Sequence, residues 1–205
     1  MAHYFENNTE VKSNIKLIKN FINDKEFSFY ADNGVFSKKG LDFGTRSLLE
    51  KVQNHDIKGD VLDFGCGYGP IGIYIAKTFK TNVDMIDINH RAIELSIKNK
   101  ELNKVKVNIF ESNIYEQINK KYDYIITNPP IRVGKEMLYN ILFGAKNHLK
   151  KDGSLIFVIH KDQGAKTLMK RLEDAYKVEL LGKNKGFYVI ICKMPWLIKG
   201  ILLQF

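Results

Sequence analysis

The sequence predicts an α/β protein built on a Rossmann-like, seven-stranded mixed sheet with helices on both faces. From Gly59 onward, short apolar segments alternate with helical segments, which is the pattern of a parallel sheet covered on both sides. The last two apolar segments follow one another without a helix between them. We therefore expect an antiparallel pair of strands at one edge of the sheet.

An N-terminal β-hairpin is predicted before this alternation begins. Apolar and polar residues alternate over 27–31, as in a half-buried strand, and Asp32-Asn33-Gly34 is a strong turn signal. We expect a small hairpin around this turn, within an N-terminal extension of residues 1–45. Residues 46–193 form the main domain, and the apolar tail 194–205 has no assigned role.

The main domain contains seven short apolar runs that we predict to be strands: 61–64, 83–88, 105–110, 122–127, 154–160, 177–181 and 187–192. Longer segments predict helices at 41–52, 70–79, 90–103, 135–149 and 165–176. Pro70 suits the first turn of its helix, because the N–H that proline lacks would be unbonded there.

Charge and cysteine content narrow the class of protein. The 205-residue chain has a net charge of +9, and residues 143–205 alone carry twelve basic and five acidic residues. A basic surface suits a polyanion such as RNA, although a generally lysine-rich surface gives the same excess. Two cysteines are too few for a disulfide framework. Without a signal peptide, a membrane-spanning run or metal-ligand spacing, we expect a cytoplasmic protein with no metal and no membrane partner.

A glycine-rich loop after the first strand of the main domain is a candidate cofactor site. Asp63-Phe64-Gly65-Cys66-Gly67-Tyr68-Gly69 lies between a strand and a helix, and its glycines let the backbone approach a ligand closely. Two cofactors compete, because residues 67–72 also match the GxGxxG dinucleotide pattern. Asp63 favours S-adenosylmethionine, since a carboxylate there can hold the methionine part of the cofactor. The candidates in this loop are Asp63, Gly65, Cys66 and Gly67.

Residues after the second and third strands complete the predicted pocket. Asp87 ends the second strand, twenty residues past Gly67, where a carboxylate can accept both ribose hydroxyls of an adenosine. An aspartate at this place can also simply cap the following helix. Ile88 follows it directly, and Asn113-Ile114 follows the third strand, where a polar side chain can meet the adenine edge.

The tetrapeptide Asn128-Pro129-Pro130-Ile131 ends the fourth strand, beside this pocket. The exocyclic amine of a nucleobase is a poor nucleophile, because its lone pair is delocalised into the ring. The side-chain oxygen of Asn128 and the backbone carbonyl of Pro129 can accept its N–H groups and turn the lone pair toward a methyl group. Two prolines of fixed φ keep these acceptors in place. A rigid turn at a strand end is the purely structural alternative.

In combination, these motifs resemble class I S-adenosylmethionine-dependent methyltransferases that act on exocyclic amines. Segments 34–46 and 185–189 narrow the resemblance to the bacterial family that methylates guanine N2 in small-subunit ribosomal RNA. The resemblance covers 4–193 and implies S-adenosylmethionine as cofactor and ribosomal RNA or the small ribosomal subunit as partner. It also implies a sheet order of 3-2-1-4-5-7-6, with the last strand antiparallel.

The resemblance assigns roles to further residues. It implies that Asp42 and Thr45 help to close the cofactor pocket, that Asn128 contacts the cofactor as well as the substrate, and that Phe36 lies near the target base. A core aromatic after a hairpin is the alternative for Phe36. Some relatives carry a second copy of the domain that binds RNA, whereas this chain has one copy.

Two positions bear on the substrate. Ile131 stands where adenine- and glutamine-directed enzymes usually have Tyr or Phe, so we expect Phe36 to stack on the base. Lys161 and Gln163 follow the fifth strand on the ligand side, and we expect them to contact RNA phosphates or the base. A solvated loop is the alternative for both.

Three other functions stay open. A protein glutamine-N5 methyltransferase uses a similar Asn-Pro-Pro-aromatic site, but the basic C-terminal third and Ile131 argue against it. A non-catalytic RNA-binding ribosome-assembly factor would have kept the pocket and lost turnover. A nicotinamide-dependent oxidoreductase would account for the glycines but has no need of Asn-Pro-Pro. For the guanine-N2 enzyme we expect a monomer or a weak homodimer.

Overall fold

The computed structural model describes residues 13–33, 35, 40–130 and 134–195. Its helices are α1 (Phe43–Val52), α2 (Pro70–Phe79), α3 (His90–Leu102), α4 (Lys135–Gly144) and α5 (Ala165–Leu172). Its strands are β1 (Lys16–Ile22), β2 (Lys25–Ala31), β3 (Asp60–Phe64), β4 (Asn82–Asp87), β5 (Asn108–Glu111), β6 (Tyr122–Thr127), β7 (Leu149–His160), β8 (Lys177–Asn184) and β9 (Phe187–Lys193). None of the helices in these ranges has the length and apolar character needed to cross a membrane.

Seven strands form one mixed sheet in the order β5-β4-β3-β6-β7-β9-β8. The pairs from β5 to β7 are parallel, and β9 runs antiparallel between β7 and β8. Counted in chain order within this sheet, the strands stand 3-2-1-4-5-7-6, so the predicted order and the antiparallel last strand are confirmed. The first strand of this sheet is β3, which lies between β4 and β6. The chain adds β4 and β5 on one side of it and the remaining strands on the other. Such a switch point is where open α/β sheets bind ligands.

Local signals fix the starts of three helices near this point. The Asp42 side chain caps α1 by accepting a hydrogen bond from the Thr45 backbone N–H, and Asn89 caps α3 in the same way. α2 begins at Pro70, directly after Gly69, whose φ of 97° is in the left-handed region that favours glycine.

The core has two parts, one on each face of the sheet. Side chains of α1, α2 and α3 pack with the N-terminal hairpin on one face, whereas α4 and α5 cover the other. Strand residues alternate between the two: Val61 belongs to the first cluster and Leu62 to the second. Both are almost fully buried.

Several predicted boundaries are wrong. α4 ends at Gly144 and is followed by the short 3-10 turn Ala145–His148, and β7 begins at Leu149 instead of 154. Residues 150–153 were predicted to lie between the helix and the strand, but they continue the strand with an irregular register against β6. Gly153 permits this, since a Cβ there would lie 2.9 Å from the Tyr122 carbonyl oxygen. β5 also starts later than predicted, at 108, and α5 ends earlier, at 172.

The N-terminal hairpin exists, but its turn is at Asn23-Asp24, before the strand predicted at 27–31 instead of after it. Gly34 of the predicted turn lies outside the described residues. β1 pairs with β2 across two residues with φ of 47° and 62°, the geometry of a tight hairpin turn. The strand predicted at 27–31 is therefore the second of the pair. The Asp32 carboxylate accepts hydrogen bonds from Ser13 and Asn14, just before the first strand, so this residue closes the open end of the hairpin.

A buried amide holds the hairpin to the main domain. The Asn99 side chain in α3 accepts a hydrogen bond from the Tyr30 N–H at 2.6 Å and donates to the Tyr30 carbonyl at 2.9 Å, as a neighbouring strand would. It also donates to the Tyr68 carbonyl in the glycine loop at 2.7 Å. One fully buried side chain thus joins α3, the hairpin and the glycine loop.

Candidate active site

The carboxyl ends of β3 and β6 bring the glycine loop and the Asn-Pro-Pro segment together. The two strands are parallel neighbours, with Asp63 opposite Ile126. The Thr127 hydroxyl donates to the Phe64 carbonyl at 2.8 Å and so ties the two strand ends to each other. Gly65 and Asn128 come next on their strands, at the same edge of the sheet.

The glycine loop presents two of its glycines to open space. Gly65 and Gly67 have φ of 68° and 57°, and a Cβ added at either would meet no described atom within 4 Å. Gly69 and Gly72 serve packing instead, since a Cβ there would lie within 3 Å of the Met85 side chain. The Cys66 side chain is buried in the core, so this residue offers a ligand only its backbone.

Asp63 lies fully buried beneath the loop. Its Oδ2 accepts a hydrogen bond from the Gly72 N–H in the first turn of α2 at 2.7 Å. No described group donates to its buried Oδ1. Because burial disfavours the charged form, the pKa of this carboxyl is raised to about 7. The free acceptor can take a donor such as the ammonium of an amino-acid ligand.

Asp87 holds the loop from the neighbouring strand. Its carboxylate accepts from the Gly67 N–H at 2.8 Å and from the Asn89 N–H at 2.9 Å. Burial raises the pKa of this carboxyl, even though both hydrogen bonds favour its charged form. The cap of α3 is Asn89, so Asp87 does not cap the helix itself but holds the residue that does. Its two oxygens keep further lone pairs for a ligand hydroxyl.

The segment after β5 departs from prediction in detail. The Asn113 side chain is exposed and donates to Glu116 at 2.8 Å, so its amide is engaged on the surface. Ile114 is partly buried, with a φ of 51° that β-branched residues rarely adopt. The buried Ser112, which the sequence did not single out, anchors the turn: its N–H donates to the Asp87 carbonyl, and its hydroxyl donates to the Ile114 carbonyl.

The side-chain amide of Asn128 is held by the first turn of α1. Its Nδ2 donates to Asp42 Oδ1 at 3.2 Å and to Thr45 Oγ1 at 3.0 Å. Because a carboxylate only accepts, the atom that faces Asp42 must be the nitrogen. This fixes the rotation of the amide and leaves Asn128 Oδ1 without a donor from the described residues. The resemblance implied that Asp42 and Thr45 help to close the cofactor pocket, and the structure shows both as hydrogen-bond acceptors of the Asn128 amide.

Pro129 is buried and Pro130 half-buried, and both follow trans peptide bonds. No described group donates to the Pro129 carbonyl, so this oxygen can accept a hydrogen bond from a ligand. Ile131 and Phe36 lie outside the described residues.

The loop after β7 is built around its own turn. The Gln163 side-chain oxygen accepts from the His160 N–H at 2.9 Å, so this amide serves the turn first. The Lys161 backbone N–H donates to the Gly186 carbonyl at 2.7 Å, and its side chain is exposed. The Gln163 side-chain oxygen is therefore engaged within the loop itself.

The arrangement fits S-adenosylmethionine on three observations. Gly65 and Gly67 leave the space that a ligand backbone or methylene chain needs. The orphaned Asp63 oxygen suits its ammonium, and the Asp87 carboxylate suits ribose hydroxyls. Within the described ranges no three His, Cys, Asp or Glu side chains are grouped as metal ligands.

Comparison with known proteins agrees with this geometry. Residues 26–191 match the model of a protein family described as the methyltransferase small domain. The chain belongs to this methyltransferase family. Its sheet order is that of a class I methyltransferase.

Two kinds of relative are found. The chain is 41% identical over 196 residues to the uncharacterized protein YbxB of Bacillus subtilis, covering 93% of this chain and 98% of that protein. It is 32% identical over 176 residues to ribosomal RNA small subunit methyltransferase C of Psychromonas ingrahamii, and 36% over 169 residues to that of Vibrio parahaemolyticus. These matches cover 83% and 78% of this chain but 50% and 47% of the two enzymes, so the chain spans about half their length.

A solved structure shares the fold. The 16S rRNA N2 G1207 methyltransferase of T. thermophilus, in complex with AdoMet and guanosine, superposes with a TM-score of 0.79 at 23% identity. The superposition covers 88% of this chain and 51% of that one.

The raised pKa of Asp63 predicts a pH-dependent stability. A carboxyl with a folded pKa above its unfolded value contributes stability below about pH 4, which is lost as the pH rises through about 7. Relative to Asp63→Asn, the ligand-free wild type should therefore lose free energy of unfolding between these values, by up to about 1.4 kcal/mol per pH unit. Urea denaturation across this range measures it.

Asp152→Asn, at an exposed position in β7, is the control for losing one carboxylate. Wild-type and Asp63→Asn stability curves that run parallel from pH 4 to pH 7 would contradict the raised pKa.

Proposed function

We propose that this methyltransferase transfers the methyl group of S-adenosylmethionine to the exocyclic N2 amine of a guanine in small-subunit ribosomal RNA. The observation that carries the proposal is the fixed amide of Asn128 beside the glycine loop. Its free oxygen and the Pro129 carbonyl are two acceptors at the edge of the crevice. An exocyclic amine has two N–H groups to donate to them.

The chain's own residues hold the donor molecule. Asp63 accepts from its ammonium, Asp87 accepts from its ribose hydroxyls, and the open faces of Gly65 and Gly67 leave room between them. When bound, S-adenosylmethionine supplies a methyl group on a sulfonium whose leaving group is a neutral thioether.

Asn128 and Pro129 orient the acceptor amine. Two N–H groups that point at fixed oxygens draw the amine away from the plane of the ring and direct its lone pair toward the methyl carbon. The bound donor would supply its methyl group to the N2 lone pair, and the C–S electron pair would remain with the neutral thioether. N2 then loses its extra proton to water, so catalysis rests on positioning and electrostatics and needs no strong base.

RNA is favoured over a protein glutamine by charge and by relatives. A glutamine amide also presents two N–H groups, so the Asn-Pro-Pro geometry alone suits both substrates. The net charge of +9 suits a polyanion. Matching enzymes from Psychromonas ingrahamii and Vibrio parahaemolyticus are named ribosomal RNA small subunit methyltransferases.

Methyl-labelled S-adenosylmethionine tests the substrate class. The protein is incubated separately with naked small-subunit RNA, with assembled small subunits and with total cell protein. We expect label in one of the two RNA samples, and N2-methylguanosine after digestion to nucleosides and mass spectrometry. Label confined to protein, with methylglutamine in the hydrolysate, would replace the RNA proposal with the glutamine alternative.

The hydrogen bonds that position the Asn128 amide predict losses of kcat that differ in size between substitutions. Asn128→Ala removes an acceptor used in the reaction, so kcat should fall by about 10²- to 10³-fold, with affinity for S-adenosylhomocysteine nearly unchanged.

Thr45→Val removes one partner of the Asn128 amide at almost constant volume, and kcat should fall by roughly tenfold. Thr45→Ser keeps the hydroxyl and should restore kcat to near the wild-type value.

Steady-state kinetics on the labelled RNA substrate gives kcat, and calorimetry gives the affinity for S-adenosylhomocysteine. Equal kcat values for Thr45→Val and Thr45→Ser would show that the hydroxyl does not position Asn128.

A further inference from the structure

Three lysines surround the tight turn between β8 and β9, at the same edge of the sheet as Asn128. Lys183 and Lys185 belong to the turn and its approach, and the Lys161 backbone is hydrogen-bonded to Gly186 within the turn. All three side chains are exposed. We call Lys161, Lys183 and Lys185 the basic rim.

The basic rim adjoins the Asn128 site through Phe187, which begins β9. A Cβ added at Gly44 would lie 3.0 Å both from a ring carbon of Phe187 and from Asp42 Oδ1. Asp42 in turn accepts from the Asn128 amide. The Phe187 ring also contacts the ring of His160, directly before Lys161, with centroids 4.9 Å apart. The rim therefore adjoins the proposed reaction site through Phe187, Gly44 and Asp42.

Aromatic rings hold two of the ammonium groups in place. Lys183 Nζ lies 4.6 Å from the centroid of the Tyr188 ring, and Lys185 Nζ lies 5.2 Å from that of Phe43. Such contacts are favourable because the ring face is negative. Lys185 has a φ of 42°, a conformation in which Asn or Gly is usual. A charged residue therefore occupies the tip of the turn despite its backbone cost.

The ammonium groups of the rim are not neutralised by described carboxylates. Two acids lie close by, but each has another partner: Asp162 faces His160 at 3.3 Å, and Glu50 accepts from Asn184 at 3.3 Å. Lys161, Lys183 and Lys185 form no ion pair within the described ranges. Three exposed, unpaired cations beside a reaction site are suited to an anion from solution.

We infer that the basic rim binds the backbone phosphates of the nucleotides next to the target guanine. This inference rests on the proposed function. Lysine recognises phosphate as a point charge without reading the base, so the rim fixes the strand and leaves base selection to the reaction site. A base turned out into the site carries its flanking phosphates to the rim, because phosphates are joined to it through the backbone.

The test removes the three charges together, as Lys161→Gln, Lys183→Gln and Lys185→Gln in one variant. Its matched control carries Lys25→Gln, Lys98→Gln and Lys106→Gln, at exposed lysines of the hairpin, α3 and the segment before β5. Fluorescence anisotropy with a short labelled RNA that contains unpaired guanines gives the affinity across a salt series, in the presence of S-adenosylhomocysteine. Methyl-transfer kinetics on the RNA substrate gives KM and kcat.

The rim variant should bind RNA about 10- to 100-fold more weakly near 0.1 M salt, with a salt slope lower by about 2, because each single-strand phosphate contact contributes about 0.7. KM for RNA should rise accordingly, and kcat and the affinity for S-adenosylhomocysteine should stay close to wild type. The control variant should bind RNA as the wild type does.

Two failures are distinguishable. RNA affinity and salt slope of the rim variant equal to those of the control variant would overturn the inference while leaving the proposed function intact. A wild-type protein that methylates no RNA would overturn the proposed function, whatever the variants bind.

Discussion

Two acceptors on the first turn of α1 fix the side-chain amide of Asn128, and the proposed chemistry depends on this contact. Without Asp42 and Thr45, the amide could rotate and present its nitrogen to the crevice, where a donor would repel the N–H groups of an acceptor amine. With them, the oxygen is the only atom available. The role of the helix is therefore to choose which end of an almost symmetrical group meets the substrate.

The sheet order makes this contact possible. β3 and β6 are adjacent although more than fifty residues separate them, so the glycine loop and the Asn-Pro-Pro corner share one edge. Buried polar contacts then fix the details: Thr127 joins the two strand ends, Asp87 holds the loop, and Asn99 ties the loop to the hairpin. Thr127 and Asp87 act at strand ends, where regular sheet pairing stops, whereas Asn99 acts from within α3.

The parts that could be predicted from sequence are those that local pattern determines. Strand and helix alternation predicted the sheet, and Pro70 after the glycine loop predicted the start of α2. The hairpin turn was misplaced because Asn23-Asp24 and Asp32-Asn33-Gly34 are both good turn signals, and only tertiary contacts decide between them. The second signal is used where the Asp32 side chain reaches back to Ser13 and Asn14.

Contacts between distant segments were beyond the sequence. Asn128 pairs with residues more than eighty positions earlier, and the link from Gly44 to Phe187 joins α1 to β9. The family resemblance implied that Asp42 and Thr45 help to close the cofactor pocket, but it did not identify Asn128 as their hydrogen-bond partner. Only coordinates show which side chain they hold. Ser112 carried no signal beyond its place after a strand, which many serines share.

The account is tested most directly by a crystal structure of the protein with S-adenosylhomocysteine and guanosine. It predicts the guanine N2 within about 3 Å of Asn128 Oδ1, with Asn128 Nδ2 still on Asp42 and Thr45. A guanine bound with N2 turned away from Asn128, or an Asn128 amide that presents its nitrogen to the base, would contradict it.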